Sequence, residues 1–452
     1  MLAGIGSRFM SFVRSYSKHF ILPTRDVSDK ARQYARGLMQ AGVRKNMDRM
    51  AEVVPDAKSR NLQQFLTHSS WDARGVIDHV ARDVDDLLGD RKETGLIIDE
   101  SGFAKQGKMS VGTSRQWLGR LGKVDNGQVA VFGALAKDRF VSPVDVRLFL
   151  PKEWTRDRKR CDKAGIPKDK RKFYTKIELA LQIVEHTREN GLSFGWVGAD
   201  AGYGKGPGFC ISLAQRSETF MVDVHSDFFV YLENPSPHIP TKKSKIGRPF
   251  KNYRTDKKAK GVGEIVSSIP QSDWKLMELR DTTRGRLKVR AWREPIYIWD
   301  GKSAEVYLWH LVATRSVGSN SDIKISITNA SKDIPLKRMA WMQRQRFWVE
   351  RTFEDAKSEC GMADYQVRKW SAWHHHMALV MMAMVFMVSE KIKHKDAYPL
   401  LSCADIEDLL AHFLPRRDIT KGEVLRQMEE RHRQRHKAII SHSNRRRLSG
   451  AG

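Results

Sequence analysis

Gly95-Leu96-Ile97-Ile98-Asp99 and Phe194-Gly195-Trp196-Val197-Gly198-Ala199-Asp200 are two short apolar runs, each closed by an aspartate. A run this short, without polar alternation, reads as a strand buried on both faces. The carboxyl edge of such strands is where open α/β sheets place their ligands. Outward from the first run, a Gly- and Lys-rich loop leads to Asp125-Asn126-Gly127, a hairpin turn signal, and then to a strand over 128–136. A second turn at Lys137-Asp138-Arg139 precedes a strand over 141–150. A helix over 177–190 is stopped by Gly191. After the second run come a helix over 209–215 and a strand over 219–224. The order predicts an α/β layer with a mixed, partly antiparallel sheet whose first and fourth strands end in Asp99 and Asp200.

Before this layer, residues 1–90 read as a helical domain. Ser28-Asp29 can cap one helix, and Ala31, Tyr34, Ala35 and Leu38 recur at helical spacing, as do Leu62, Phe65 and Leu66, then Val76, Val80 and Leu87. Arg and Lys on its outer faces suit contact with DNA. The first 25 residues carry no acid and read as a basic arm. The layer itself, 91–230, is followed over 231–335 by a basic loop and a β-rich insertion with strands over 274–280, 287–292, 296–299 and 306–313. Gly247-Arg248-Pro249 in the loop has the composition of a short arm that enters a minor groove. Trp292, Trp299 and Trp309 read as sheet core. The helical pattern returns over 336–395, and 396–452 forms a basic end whose Arg445-Arg446-Arg447 reads as an unstructured phosphate-binding tail.

Eighty Lys and Arg against 53 Asp and Glu leave a formal charge of +27 on 452 residues. That excess suits a polyanion rather than a small anionic metabolite. Hydrophobic residues at 40 % exclude a wholly disordered chain. The apolar run over 377–388 is too short to span a bilayer and reads as a buried helix, so no membrane partner is expected. Cys161, Cys210, Cys360 and Cys403 form no C-x-x-C pair, which fits a reducing compartment.

Chemistry points to a third acid. In Arg344-Gln-Arg-Phe-Trp-Val-Glu-Arg-Thr-Phe-Glu-Asp-Ala-Lys357, a helix places Arg346, Glu350 and Lys357 on one face, with Phe347 and Phe353 beside it to pack on a sheet. Asp99, Asp200 and Glu350 together could hold two Mg²⁺ ions, the arrangement that clamps attacking and leaving oxygens in an in-line displacement. Lys105 and Lys108, just after the first acid, are candidates for phosphate contact. His374-His375-His376 points to three different helix faces and reads as polar helix surface rather than a metal cluster.

These residues also carry a resemblance. Ile98-Asp-Glu-Ser-Gly-Phe-Ala-Lys105, Ser110-Val-Gly112, Leu118-Gly-Arg-Leu-Gly-Lys-Val-Asp-Asn-Gly-Gln-Val129, Ala199-Asp-Ala-Gly-Tyr-Gly204 and Val349-Glu-Arg-Thr-Phe-Glu-Asp-Ala-Lys357 resemble the DDE transposases of bacterial insertion sequences. The resemblance extends over nearly the whole chain. It implies a ribonuclease-H-like core interrupted by a β-rich insertion, with catalytic, metal-binding acids at Asp99, Asp200 and Glu350. The glutamate helix of a related group follows Y-x2-R-x3-E-x6-K; Arg346, Glu350 and Lys357 match it, while Gln343 stands where the tyrosine would be. Glu354, the rival third acid, has no Arg four residues before it and no Lys seven after. The implied activity is metal-dependent cleavage at the ends of a mobile element followed by strand transfer. Mg²⁺ would serve, Mn²⁺ could substitute, and Arg346 and Lys357 would hold phosphate. The implied partners are double-stranded DNA, as element ends and target, and a second copy when two ends are synapsed. The implied location is the bacterial cytoplasm, at the nucleoid. A DNA-binding protein that has lost catalysis and a nuclease that cuts without joining are the alternatives.

Overall fold

A computed structural model describes residues 2–42, 44–241, 250–282, 285–317 and 323–449. Among these, ten strands share one sheet: β1 Asp90–Ala104, β2 Ser114–Leu118, β3 Lys123–Lys137, β4 Phe140–Leu148, β5 Phe194–Ala199, β6 Phe220–Asp223, β7 Lys275–Thr282, β8 Gly285–Ile298, β9 Tyr307–Ser316 and β10 Ile323–Thr328. The sheet order is β7-β8-β9-β10-β6-β5-β1-β3-β2, with β4 also paired to β3. The β1–β5 and β5–β6 pairs are parallel and the rest antiparallel, so the sheet is mixed as expected.

Helices cover both faces. Phe132 and Gly133 are successive residues of β3 and therefore point to opposite sides. Phe132 meets Phe353 on one side, ring centroids 5.1 Å apart. A Cβ on Gly133 would stand 2.6 Å from Ile183 on the other, so only glycine lets that helix approach so closely.

The helices include α1 Ile5–Ser15, α2 Ser28–Gln40, α3 Met47–Val53, α4 Ser59–Thr67, α5 Ala73–Leu88, α6 Lys176–Glu189, α7 Gly208–Gln215, α8 Leu336–Gln345, α9 Phe347–Ser358, α10 Trp370–Lys393, α11 Cys403–Phe413 and α12 Lys421–Ser449. Helix α10 is long and apolar enough to cross a membrane, yet it is buried along most of its length. Helices α2, α4 and α5 pack on it from one side and β4 from another. The N-terminal helices therefore share α10 with the sheet, and α11 closes over α1 and α2.

Several expectations change. Residues 5–20 are not a loose basic arm: Ile5, Phe9, Val13 and Tyr16 are buried at helical spacing, and Arg8 Nε donates to Glu390 on α10 at 2.8 Å. Asp125-Asn126-Gly127 lies inside β3 rather than at a turn. The turn falls at Gly122, whose φ of 60° suits glycine, and the Asn126 amide instead donates to the Gly107 carbonyl at 3.2 Å. Strand β1 does not end at Asp99 but continues to Ala104, because β3 extends with it as a ribbon. The strands expected as a separate insertion extend the core sheet, since β10 pairs with β6 through Ile327 and Val222. The strands expected over 287–292 and 296–299 are one, β8. The basic C-terminal tract is helical over Lys421–Ser449.

Candidate active site

Register alone sets the first two acids side by side. Ile98 pairs with Ala199 across the parallel β1–β5 ladder, and Asp99 and Asp200 each follow by one residue. Asp200 leaves the strand and turns the chain: its side chain accepts from the Gly202 N–H at 3.0 Å, and its carbonyl accepts from Tyr203 and Gly204. Asp99 is nearly buried and accepts from the Glu100 N–H at 2.7 Å. Burial, and then the neighbouring Asp200 charge, push the Asp99 carboxyl up to about 7, against the pull of Arg346.

Glu350 arrives from above on α9, and its side chain remains half exposed. Val349, Phe353 and Ala356 bury the flank of that helix next to Glu350. Arg346 sits at the junction of α8 and α9, where its guanidinium reaches three carboxylates. Nη1 stands 2.8 Å from Glu350 and 3.6 Å from Asp99, while Nε stands 3.3 Å from Asp223. Glu354 points elsewhere, exposed and 3.7 Å from Arg351.

Asp223 escaped the sequence reading. It closes β6, and because Ala199 pairs with Val222 it falls at the level of Asp200 on the next strand. The signal was present: Phe220-Met221-Val222-Asp223 is a third apolar run ending in an acid. A second unforeseen pair lies beside Asp99, where Lys176 at the start of α6 binds Glu100.

The other expected residues scatter. Lys105 is tucked against Tyr365, 3.5 Å from its ring centre and 3.2 Å from its carbonyl, and burial pushes its ammonium down to about 8. Lys108 is exposed. Lys357 lies 5.6 Å from the Phe103 ring, on the outer half of β1. Arg248 lies outside the described residues. Phe353 packs on the sheet as expected, but Phe347 is exposed.

The histidine triplet is not polar surface. His375 stacks on Trp71 at 3.9 Å and contacts the Leu66 and Trp71 carbonyls, and His376 meets the Tyr34 hydroxyl at 2.8 Å. These histidines bind α10 to the N-terminal helices. Trp309 is sheet core against Phe220.

Hard carboxylate oxygens crowded on one sheet edge fit Mg²⁺ or Mn²⁺. Asp99 is raised first by burial and then by the Asp200 charge, so a cation bound between the two would favour its ionised form. Among the described residues no three acid, histidine or cysteine side chains are gathered closely enough to ligate an ion; Arg346 stands between Glu350 and Asp99.

Comparison with known proteins gives the family. Over 328 residues the chain is 25 % identical to a protein of Microchaete diplosiphon described as "Probable transposase for insertion sequence element IS701", covering 72 % of this chain and 73 % of that one. Residues 20–286 match the model of the DDE superfamily endonucleases. That stretch is more than half of the chain and includes Asp99 and Asp200, so the protein belongs to the DDE superfamily endonucleases.

Proposed function

We propose that the protein is the transposase of an insertion sequence, cleaving DNA at the element ends and joining the freed 3′-hydroxyl to a target. The observation that carries this reading is the placement of Asp99 and Asp200 directly after the Ile98–Ala199 pair, with Glu350 tied to Asp99 through Arg346. Asp99, Asp200 and Glu350 would hold the divalent ions, which when bound would activate the attacking oxygen and steady the leaving one. The chain's own residues supply the rest. Arg346 offers a guanidinium beside the acids, suited to a phosphate oxygen. Lys357 adds positive charge along the same helix, and the excess of +27 draws the DNA in. Two copies, one on each element end, would complete the synapse.

The test is incubation of the purified protein with duplexes carrying the DNA that flanks its gene, with and without Mg²⁺. Metal-dependent nicking at a defined end, lost in Asp99→Asn and Asp200→Asn while binding persists, supports the reading. Strand-transfer products separate a transposase from a nuclease that only cuts. Tight binding with no cleavage under any divalent ion overturns the enzymatic reading.

A further inference from the structure

Gln343 occupies the place where the related glutamate helices carry a tyrosine, and it is 2 % exposed. Its amide is the middle of a buried chain of hydrogen bonds with one direction. The Thr314 hydroxyl on β9 donates to Gln343 Oε1, and Gln343 Nε2 donates to Ser326 Oγ on β10 at 2.7 Å. Ser326 Oγ donates in turn to Asp223 Oδ1 at 2.5 Å, across the β10–β6 register. Asp223 then uses its other oxygen, Oδ2, to accept from Arg346 Nε at 3.3 Å. Thr314 and Ser326 are fully buried, so their hydroxyls have these neighbours to turn to rather than bulk water, and the second Gln343 Nε2 proton goes to the Lys324 carbonyl at 3.2 Å.

A carboxylate receiving two hydrogen bonds on its two oxygens has little freedom to turn. Arg346 is therefore held by its Nε edge, leaving the Nη edge free to face Glu350 and Asp99. We infer that Asp223 is a positioning residue, which, with Ser326 and Gln343 behind it, aims the Arg346 guanidinium at the reacting phosphate. This rests on the proposed function, since it gives Arg346 a phosphate to meet. Asp223 itself touches Arg346 rather than the reacting atoms.

The experiment is a double-mutant cycle on DNA cleavage with Asp223→Asn and Arg346→Ala, alongside the Arg346 Nε–H resonance of the ¹⁵N-labelled, metal-free protein. The expected result is a cleavage rate about 10-fold lower in Asp223→Asn at saturating DNA, with DNA affinity within about twofold. In the Arg346→Ala background the same change should cost less than about twofold. Asp223→Glu should recover part of the loss. The Nε–H resonance should shift in Asp223→Asn and, to a smaller extent, in Ser326→Ala, which keeps the charge and guards against a folding defect.

Equal losses in both backgrounds would overturn the assignment, because Asp223 would then act without Arg346. So would Mn²⁺ binding that weakens several-fold in Asp223→Asn, which would make Asp223 a metal ligand. An unmoved Nε–H resonance would overturn it as well. If the wild type cleaves nothing, the proposed function fails; the resonance still reads the Asp223–Arg346 contact on its own.

Discussion

Arg346 Nη1 lies 2.8 Å from Glu350 Oε1, one helical turn further along the same face of α9. The contact joins Glu350 to the aspartates, whereas Glu354 is turned to Arg351. Glu350→Gln should lower cleavage on the order of 100-fold, about 2.7 kcal/mol of barrier. Glu354→Gln should stay within about twofold. Single-turnover cleavage of a labelled duplex checks both, and the reverse ranking would make Glu354 the third acid.

Gly204 follows Asp200 closely enough that a Cβ at this position would collide with the Asp223 carbonyl oxygen. Backbone cannot rotate aside as a side chain can. Gly204→Ala should therefore destabilise the fold by about 1–3 kcal/mol and displace the turn that carries Asp200. Denaturant unfolding reads the first effect and cleavage rate the second; a variant with unchanged stability and rate would show that the turn adapts.

His376 is fully buried, and burial followed by the nearby Lys105 charge pushes its imidazole down to about 3. The folded form is thus the weaker proton binder. Its stability is complete above pH 6.5, the ordinary value, and declines as pH falls because the unfolded chain takes up the proton first. Between pH 7.5 and 5.5 this one group should remove about 1.4 kcal/mol. His376→Gln, which can still bond the Tyr34 hydroxyl, should flatten the pH dependence by that amount. Paired denaturation curves at the two pH values measure it.

After Glu430 the chain carries seven Arg and Lys and no acid. The side chains over 435–444 of α12 are all exposed. If all seven Arg and Lys beyond Glu430 lie on DNA phosphates, truncation after Glu430 should flatten the plot of log Kobs against log salt, by up to about 6 units at roughly 0.9 per phosphate. Fluorescence anisotropy with a labelled duplex across a salt series gives the slope. An unchanged slope would remove α12 from the DNA interface.

The sheet was legible because its central strands carry apolar runs too short for helices, and Asp99 and Asp200 stood out as the first acids after those runs. Where side chains serve a distant partner, the pattern was silent. Asn126 looked like a turn residue because Asn-Gly favours a tight turn, but its amide finds carbonyls on the adjoining loop. The histidine triplet looked solvated because polar residues usually are; the carbonyls of Leu66 and Trp71 that receive His375 lie some 300 positions away. Asp223 ends a run as apolar as the other two, but its partners Ser326 and Arg346 lie more than 100 residues away, so nothing in its own segment marks its role. Gln343 read as a missing tyrosine, when its place is a buried relay among Thr314, Ser326 and Lys324.

Helix α10 is the piece on which α2, α4 and α5 close, and it is made after more than four-fifths of the chain. During synthesis those early helices emerge with an apolar flank that nothing local can cover. Their assembly must wait for the ribosome to release residues 370–393, a closure across some 300 residues that belongs among the slow, long-range steps of folding. A chain that stopped short of residue 370 would leave the α10-facing flanks of α2, α4 and α5 uncovered, a surface prone to aggregation.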